Sequence, residues 1–195
     1  MKLHFAAASP FVRKVTVVAL HHGIALERVA TNPHASPADL LADNPLSKVP
    51  ALVTDEGMTL PDSPMICEYL DSMGNGPKLF PAGAERWPAL RLAALADGIL
   101  TAAVLRRGQS LLPVEKARDA TLMRQQAAVM RTLDLLEAEG VGEALDIGTL
   151  TLVCALGYLD FRFGAEDWRL GRPKLQAFFD AKINNPIFAQ TVPQG

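Results

Sequence analysis

Two spacings of apolar residues alternate through the first third of the chain, and only one of them continues afterwards. Short runs at Lys2 to Ala6 and Glu27 to Ala30 suit strands. Ala51 to Thr54 and Met58 to Leu60 flank Asp55-Glu56-Gly57, a hairpin signal. Between these, Pro10 to His22 carries Val12, Val15, Val18 and Ala19 on one helical face, and Gly23 is a natural stop. The segment TNPHASPADLLADNP is rich in Pro, Asn, Asp and Ser and predicts a loop holding at most a short helix. Ser63 to Met73 predicts a helix opening on Ser-Pro.

Gly74 to Pro88, with Gly-Asn-Gly-Pro and Pro-Ala-Gly, reads as a linker, and beyond it no strand pattern competes with helix. Ala89 to Leu112 is apolar almost all round. Glu115 to Glu139 is amphipathic, with Met123, Ala127, Met130, Leu133 and Leu136 at spacings of three and four. Ile147 to Phe163 predicts a buried helix, too short for the ~20 residues that span a bilayer. Pro173 to Asn184 predicts a final amphipathic helix. The expected architecture is an α/β domain over 1–75, a linker over 76–87 and an all-helical domain over 88–195.

With 49% hydrophobic residues the chain is globular, and 19 basic against 21 acidic residues leave it at -2 with no basic block. That balance gives no electrostatic footprint for nucleic acid or an anionic membrane, so the expected partners are small molecules or another protein. Cys67 and Cys154 lack both C-x-x-C and metal-ligand spacing, and read as buried reduced thiols of a cytoplasmic protein. The apolar run from Leu3 to Ala8 is shorter than a signal peptide's core. His21-His22 ends a helix, where the dipole alone favours imidazole, and no metal is expected there.

Candidate chemistry lies in three short motifs. In SPFVRKV, Ser9 caps a helix whose first residue is Pro10, and a hydroxyl at that position can also stabilise an anion. In NPLSKVPALV, Pro50 belongs at a strand start or in a turn, with a cis bond as one option. In LPDSPMICEYLD, Asp62 and Ser63 stand at a helix start. Taken singly, these are a cap, a turn proline and a second cap, and Lys48 is a solvated lysine.

Together, SPFVRKV, NPLSKVPALV, LPDSPMICEYLD, ALADGI and ALGYLDFR, in this order over nearly the whole chain, resemble the glutathione S-transferase family, in particular its bacterial YibF-type subgroup. The resemblance implies a thioredoxin-like α/β domain followed by an all-α domain, with glutathione as co-substrate and no metal. It implies that Val49, before a cis Pro50, pairs its backbone with the cysteinyl unit. Asp62 would accept from the γ-glutamyl ammonium, Ser63 would hold the γ-glutamyl carboxylate, and Lys48 would meet the glycyl carboxylate. Ser9 would donate to the thiolate, and Phe11 and Pro50 would be further glutathione-binding residues. The expected activity is conjugation of glutathione to a small electrophile in the cleft between domains, by a homodimer whose interface is lined by the helices from Ser63 and Ala89. The alternatives are a glutathione-dependent peroxidase, or a non-catalytic glutathione-binding or interaction module. Arg106 and Arg107 fit either a solvated pair or a position on the cleft.

The chain departs from the family in three places. Ser9 stands where the family's thiol oxidoreductases have cysteine, which argues against reductase chemistry. Ala7-Ala8-Ser9 replaces the Ser-Ser-Cys run of the isomerase branch. Asp146 and Thr149 reverse the usual chemistry of the family's buried-helix cap; Asp146 can still cap, while threonine is a poorer reciprocal partner than a carboxylate.

Overall fold

The computed structural model describes residues 1–113 and 115–194, so Val114 and Gly195 of the expected helical range lie outside the described residues. In chain order the elements are β1 (Lys2–Phe5), α1 (Pro10–His21), β2 (Glu27–Ala30), α2 (Ala38–Asp43), β3 (Ala51–Val53), β4 (Thr59–Pro61) and α3 (Ser63–Met73). There follow α4 (Arg86–Ser110), α5 (Lys116–Glu139), α6 (Ile147–Phe163), α7 (Pro173–Ile183) and a short α8 (Pro186–Ala189). They form two compact units, one of Met1–Phe80 with Pro186–Gly195, the other of Pro81–Asn185.

In the first unit the sheet runs β2-β1-β3-β4. β1 and β2 are parallel, and both other pairs are antiparallel, with Leu3 opposite Leu52 and Leu52 opposite Leu60. The β3–β4 hairpin is the one that the apolar pattern predicts. α1 packs on α3 and is buried nearly all round, not on one face: even Arg13 and Lys14 are within it. Arg13 answers for its burial by donating from Nη2 to the Phe188 carbonyl (3.2 Å) and from Nε to Thr191 Oγ1 (3.3 Å). These residues belong to the α8 segment, which folds back on α1.

Polar networks tie the remaining pieces of this unit. Wholly buried His4 on β1 bonds Thr31 Oγ1 through Nδ1 (2.9 Å) and Asp43 Oδ2 through Nε2 (2.8 Å), and Lys2 meets the same oxygen at 2.5 Å. The Lys2 and His4 hydrogen bonds hold the Asp43 carboxyl below its ordinary pKa, which fixes the end of α2 to β1. Asp71 accepts from His22 Nε2 (2.8 Å) and from the Leu79 and Phe80 amides (2.7 and 3.3 Å). Lys78 donates to the Asp71 and Gly74 carbonyls at 2.6 and 2.7 Å, closing the end of α3. Gly74 is required there, because a Cβ would lie 2.1 Å from the His22 ring.

The second unit is all helical, as its pattern predicts. α6 is its core element, packed on α4 and α7 and buried along most of its length. Its first turn approaches α4 so closely that a Cβ on Gly148 would meet the Ala89 carbonyl oxygen at 2.6 Å. The reversed capping pair works in both directions: Asp146 Oδ1 accepts from the Thr149 amide (2.8 Å), and Thr149 Oγ1 accepts from the Asp146 amide (3.0 Å). The threonine hydroxyl also donates to the Ala144 carbonyl (2.8 Å), a bond that a carboxylate has no proton to make. α5 corrects the sequence reading, since Met123 is 69% exposed and the buried face runs through Val129, Leu133 and Leu136. α4 is the one described helix long and apolar enough to cross a bilayer, but here one face packs on α6 and α5.

Candidate functional site

All seven residues singled out from the motifs lie in the first unit, at three chain turns. At the first, Ser9 caps α1 with extended backbone, its Oγ accepting from the Val12 amide at a long 3.3 Å. Among the described residues its hydroxyl proton goes to no acceptor. Ser9 and Phe11 are half-buried, so both present part of their side chains to solvent.

The second turn joins α2 to β3. Val49-Pro50 is a cis peptide, and β3 begins at Ala51, opposite His4. Pro50 therefore stands just before the ladder, where a missing N–H costs no strand bond. Among the described residues Val49 makes no backbone hydrogen bond. Lys48 is exposed and forms no ion pair among them.

Asn44, which the sequence reading passes over, organises this turn. It is 1% exposed, and its Nδ2 donates to the Lys48 carbonyl (2.9 Å) while its Oδ1 accepts from the Leu46 amide (3.1 Å). Turning the Lys48 carbonyl inward leaves the following peptide, Val49, at the surface of the loop. Ser47 adds φ 50 and a hydroxyl bond to the Pro33 carbonyl (3.1 Å). The visible signal was the Asn-Pro pair at Asn44-Pro45, a turn initiator.

The third turn joins β4 to α3. Asp62 is the N-cap, its Oδ1 accepting from the Ser63 amide at 2.8 Å, and its backbone has φ 71 and ψ 136. A side-chain-bearing residue held there stores of order 1–3 kcal/mol, and such strain concentrates at binding sites. Ser63 is 0% exposed, and its Oγ has no hydrogen-bond partner. This hydroxyl stands at the positive end of an 11-residue helix. The cis turn and this helix start lie at the two ends of the β3–β4 hairpin, whose register sets Ala51 opposite Pro61.

Comparison with known proteins bears on the family of the chain. The family models for the glutathione S-transferase N-terminal and C-terminal domains match residues 3–78 and 102–181. The GST-like protein YibF of Escherichia coli (strain K12) is 35% identical over 199 aligned positions, covering 99% of this chain and 98% of that one. A glutathione transferase family member from Pseudomonas fluorescens Pf-5, crystallised with bound glutathione, is 41% identical and superposes with a TM-score of 0.92, covering 100% of this chain and 99% of that one. A second Pf-5 structure, with bound S-(propanoic acid)-glutathione, is 39% identical at a TM-score of 0.88, with 100% of each chain covered. A thioredoxin-like unit and a helical unit, matched by models of both halves and by relatives across the full length, make this chain a member of the glutathione S-transferase family.

Proposed function

We propose that this protein is a glutathione transferase, joining reduced glutathione to a small electrophile with Ser9 stabilising the thiolate. The observation that carries the reading is Ser63, a wholly buried hydroxyl without a partner, one residue after the strained Asp62. A γ-glutamyl carboxylate supplies the acceptor it lacks, at the N-terminus of α3. Asp62 takes the γ-glutamyl ammonium, Val49 pairs its free N–H and C=O with the cysteinyl backbone like an added strand, and Lys48 meets the glycyl carboxylate. Phe11 and Pro50 complete the glutathione-binding residues. The relatives crystallised with glutathione and with a glutathione conjugate support binding of both substrate and product.

Ser9 then donates its unused proton to sulfur. Lowering a thiol from about 8.5 to about 6.5 takes roughly 2.7 kcal/mol of preference for the anion. One hydrogen bond to a charged group supplies about 1.5 to 3 kcal/mol, and the helix N-terminus adds about 0.3 to 1 kcal/mol. The thiol proton leaves to water, and the sulfur lone pair forms the new C–S bond. The displaced electron pair departs with a leaving group, or moves onto the acceptor's electron-withdrawing group and is protonated there.

The exposed face of α4, with Ala94, Gly98, Thr101, Val104 and Leu105, together with exposed Met65 and Met73 on α3, supports a homodimer. Cys67 and Cys154, both buried and neither in a disulfide, support a cytoplasmic location. Calorimetric titration with glutathione, followed by a panel of electrophiles and an organic hydroperoxide, tests the whole reading. Saturable binding with turnover of an electrophile is expected. Absence of binding ends the transferase reading, and binding without turnover reduces it to a glutathione-binding module.

A further inference from the structure

The buried network on β1 holds more acceptors than a neutral imidazole has protons to serve. Thr31 Oγ1 donates its single proton to the Val29 carbonyl (2.9 Å), so towards His4 Nδ1, also at 2.9 Å, it offers only a lone pair. Asp43 Oδ2, 2.8 Å from His4 Nε2, is a carboxylate oxygen and likewise only accepts. Both ring nitrogens therefore face acceptors, and both have to carry a proton. A neutral ring would set a bare nitrogen against one of these oxygens at hydrogen-bond distance, and His4 is 0% exposed, so bulk water does not reach it. Turning the Thr31 hydroxyl round to Nδ1 only moves the fault, because Oγ1 and the Val29 carbonyl oxygen are then 2.9 Å apart with no proton between them.

The charges around the ring are consistent with that count. Lys2 Nζ reaches the same Asp43 oxygen at 2.5 Å, and the Lys2 and His4 hydrogen bonds keep that carboxyl below its ordinary pKa, so at neutral pH it is an acceptor. The Lys2 side chain is 34% exposed, and solvent screens its repulsion of a second cation. Glu27 and Arg28 on β2 and Asp39 on α2 are exposed, and β3 brings only Ala51, Leu52 and Val53. Asp43 is thus the counter-charge within bonding distance of His4.

What this pair holds in place is the start of the cis turn. Asp43 is the last residue of α2, and the next, Asn44, bonds the Leu40 carbonyl through its amide (2.6 Å). The Asn44 side chain then fixes the Lys48 carbonyl and the Leu46 amide, which sets the Val49 peptide. We infer that His4 is held as an imidazolium and is a positioning residue for glutathione: through Asp43 it ties α2 to the sheet, and thereby sets the turn that carries Lys48 and Val49. The inference rests on the glutathione-transferase reading above.

Ring-nitrogen NMR of isotope-labelled protein reads the protonation directly: at neutral pH His4 is expected to show two N–H nitrogens, and one bare nitrogen overturns the imidazolium. Calorimetry with glutathione reads the positioning, at a temperature where every variant is fully folded. A role in stability alone would lower the thermal midpoint and leave the affinity of the folded protein unchanged. His4→Gln and Asp43→Asn are each expected to weaken glutathione by about threefold or more, and the double variant no further than the weaker single one, as two residues acting through one contact require. Parent-like affinity in either single variant, or losses that add in the double, overturns the positioning role and leaves the transferase reading intact. Should His4→Gln not fold, Asp43→Asn decides by the same criterion. A parent that does not bind glutathione at all overturns both.

Discussion

A serine hydroxyl at a helix N-terminus has an oxygen and a proton to offer, and Ser9 uses only the oxygen, in a cap of 3.3 Å. If capping is its whole task, Ser9→Ala lowers stability by about 1 kcal/mol and changes nothing else. Donation to sulfur predicts more: the variant still binds glutathione, and the bound thiol's pKa rises by about one to two units. Thiolate absorbance followed against pH separates the two, and a curve superimposable on the parent's leaves Ser9 a cap only. Ser63→Ala and Asp62→Ala should each weaken glutathione by about 1.5 to 3 kcal/mol with the fold intact, since Ser63 Oγ bonds nothing within the protein. Unchanged calorimetric affinity in both would remove these residues from the site. At this scale the motifs reveal residue type and order, because caps and turn prolines have local signatures. They do not reveal that Asn44 orients the Val49 peptide, since its two bonds depend on how the loop closes.

Elements are legible in the sequence where one interaction range decides them. α3 and α6 have the bounds that their apolar runs and starting residues predict. α5 is different: its methionines offer a second stripe at the same spacing, and tertiary packing selects Val129, Leu133 and Leu136. For α6, Asp146→Ala should cost about 0.5 to 2 kcal/mol, read as a lower thermal midpoint, and an unmoved midpoint would mean the reciprocal cap contributes nothing. For α2, the anchor is titratable. Because the folded-state pKa of Asp43 is depressed, it stabilises the fold at pH values above its unfolded pKa, and that contribution disappears as pH falls through the folded value. Asp43→Asn should thus be less stable than the parent near neutrality, with the difference closing as pH falls below the ordinary carboxylate range and through the depressed folded value. Parallel thermal melts of the two proteins across that range check it, and a gap independent of pH would dissociate the anchor from ionisation.

At the scale of the whole molecule, the sequence discloses two kinds of unit because strand and helix periods are read directly. It gives no hint that the segment after Asn185 returns to the first of them, since Pro-Ile-Phe-Ala is too short to carry a pattern. The exposed apolar face of α4 leads to an assembly prediction: sedimentation at micromolar concentration should show a species of twice the chain mass. A monomer under those conditions would leave that face without a role. The return of the α8 segment has a consequence of order in time. Arg13 belongs to α1 and is made early, but the carbonyl and hydroxyl it needs belong to Phe188 and Thr191. A ribosome therefore finishes the entire helical unit before it delivers the partners of a cation buried in the first helix. The thioredoxin-like unit, first to be translated, is the last whose core is complete.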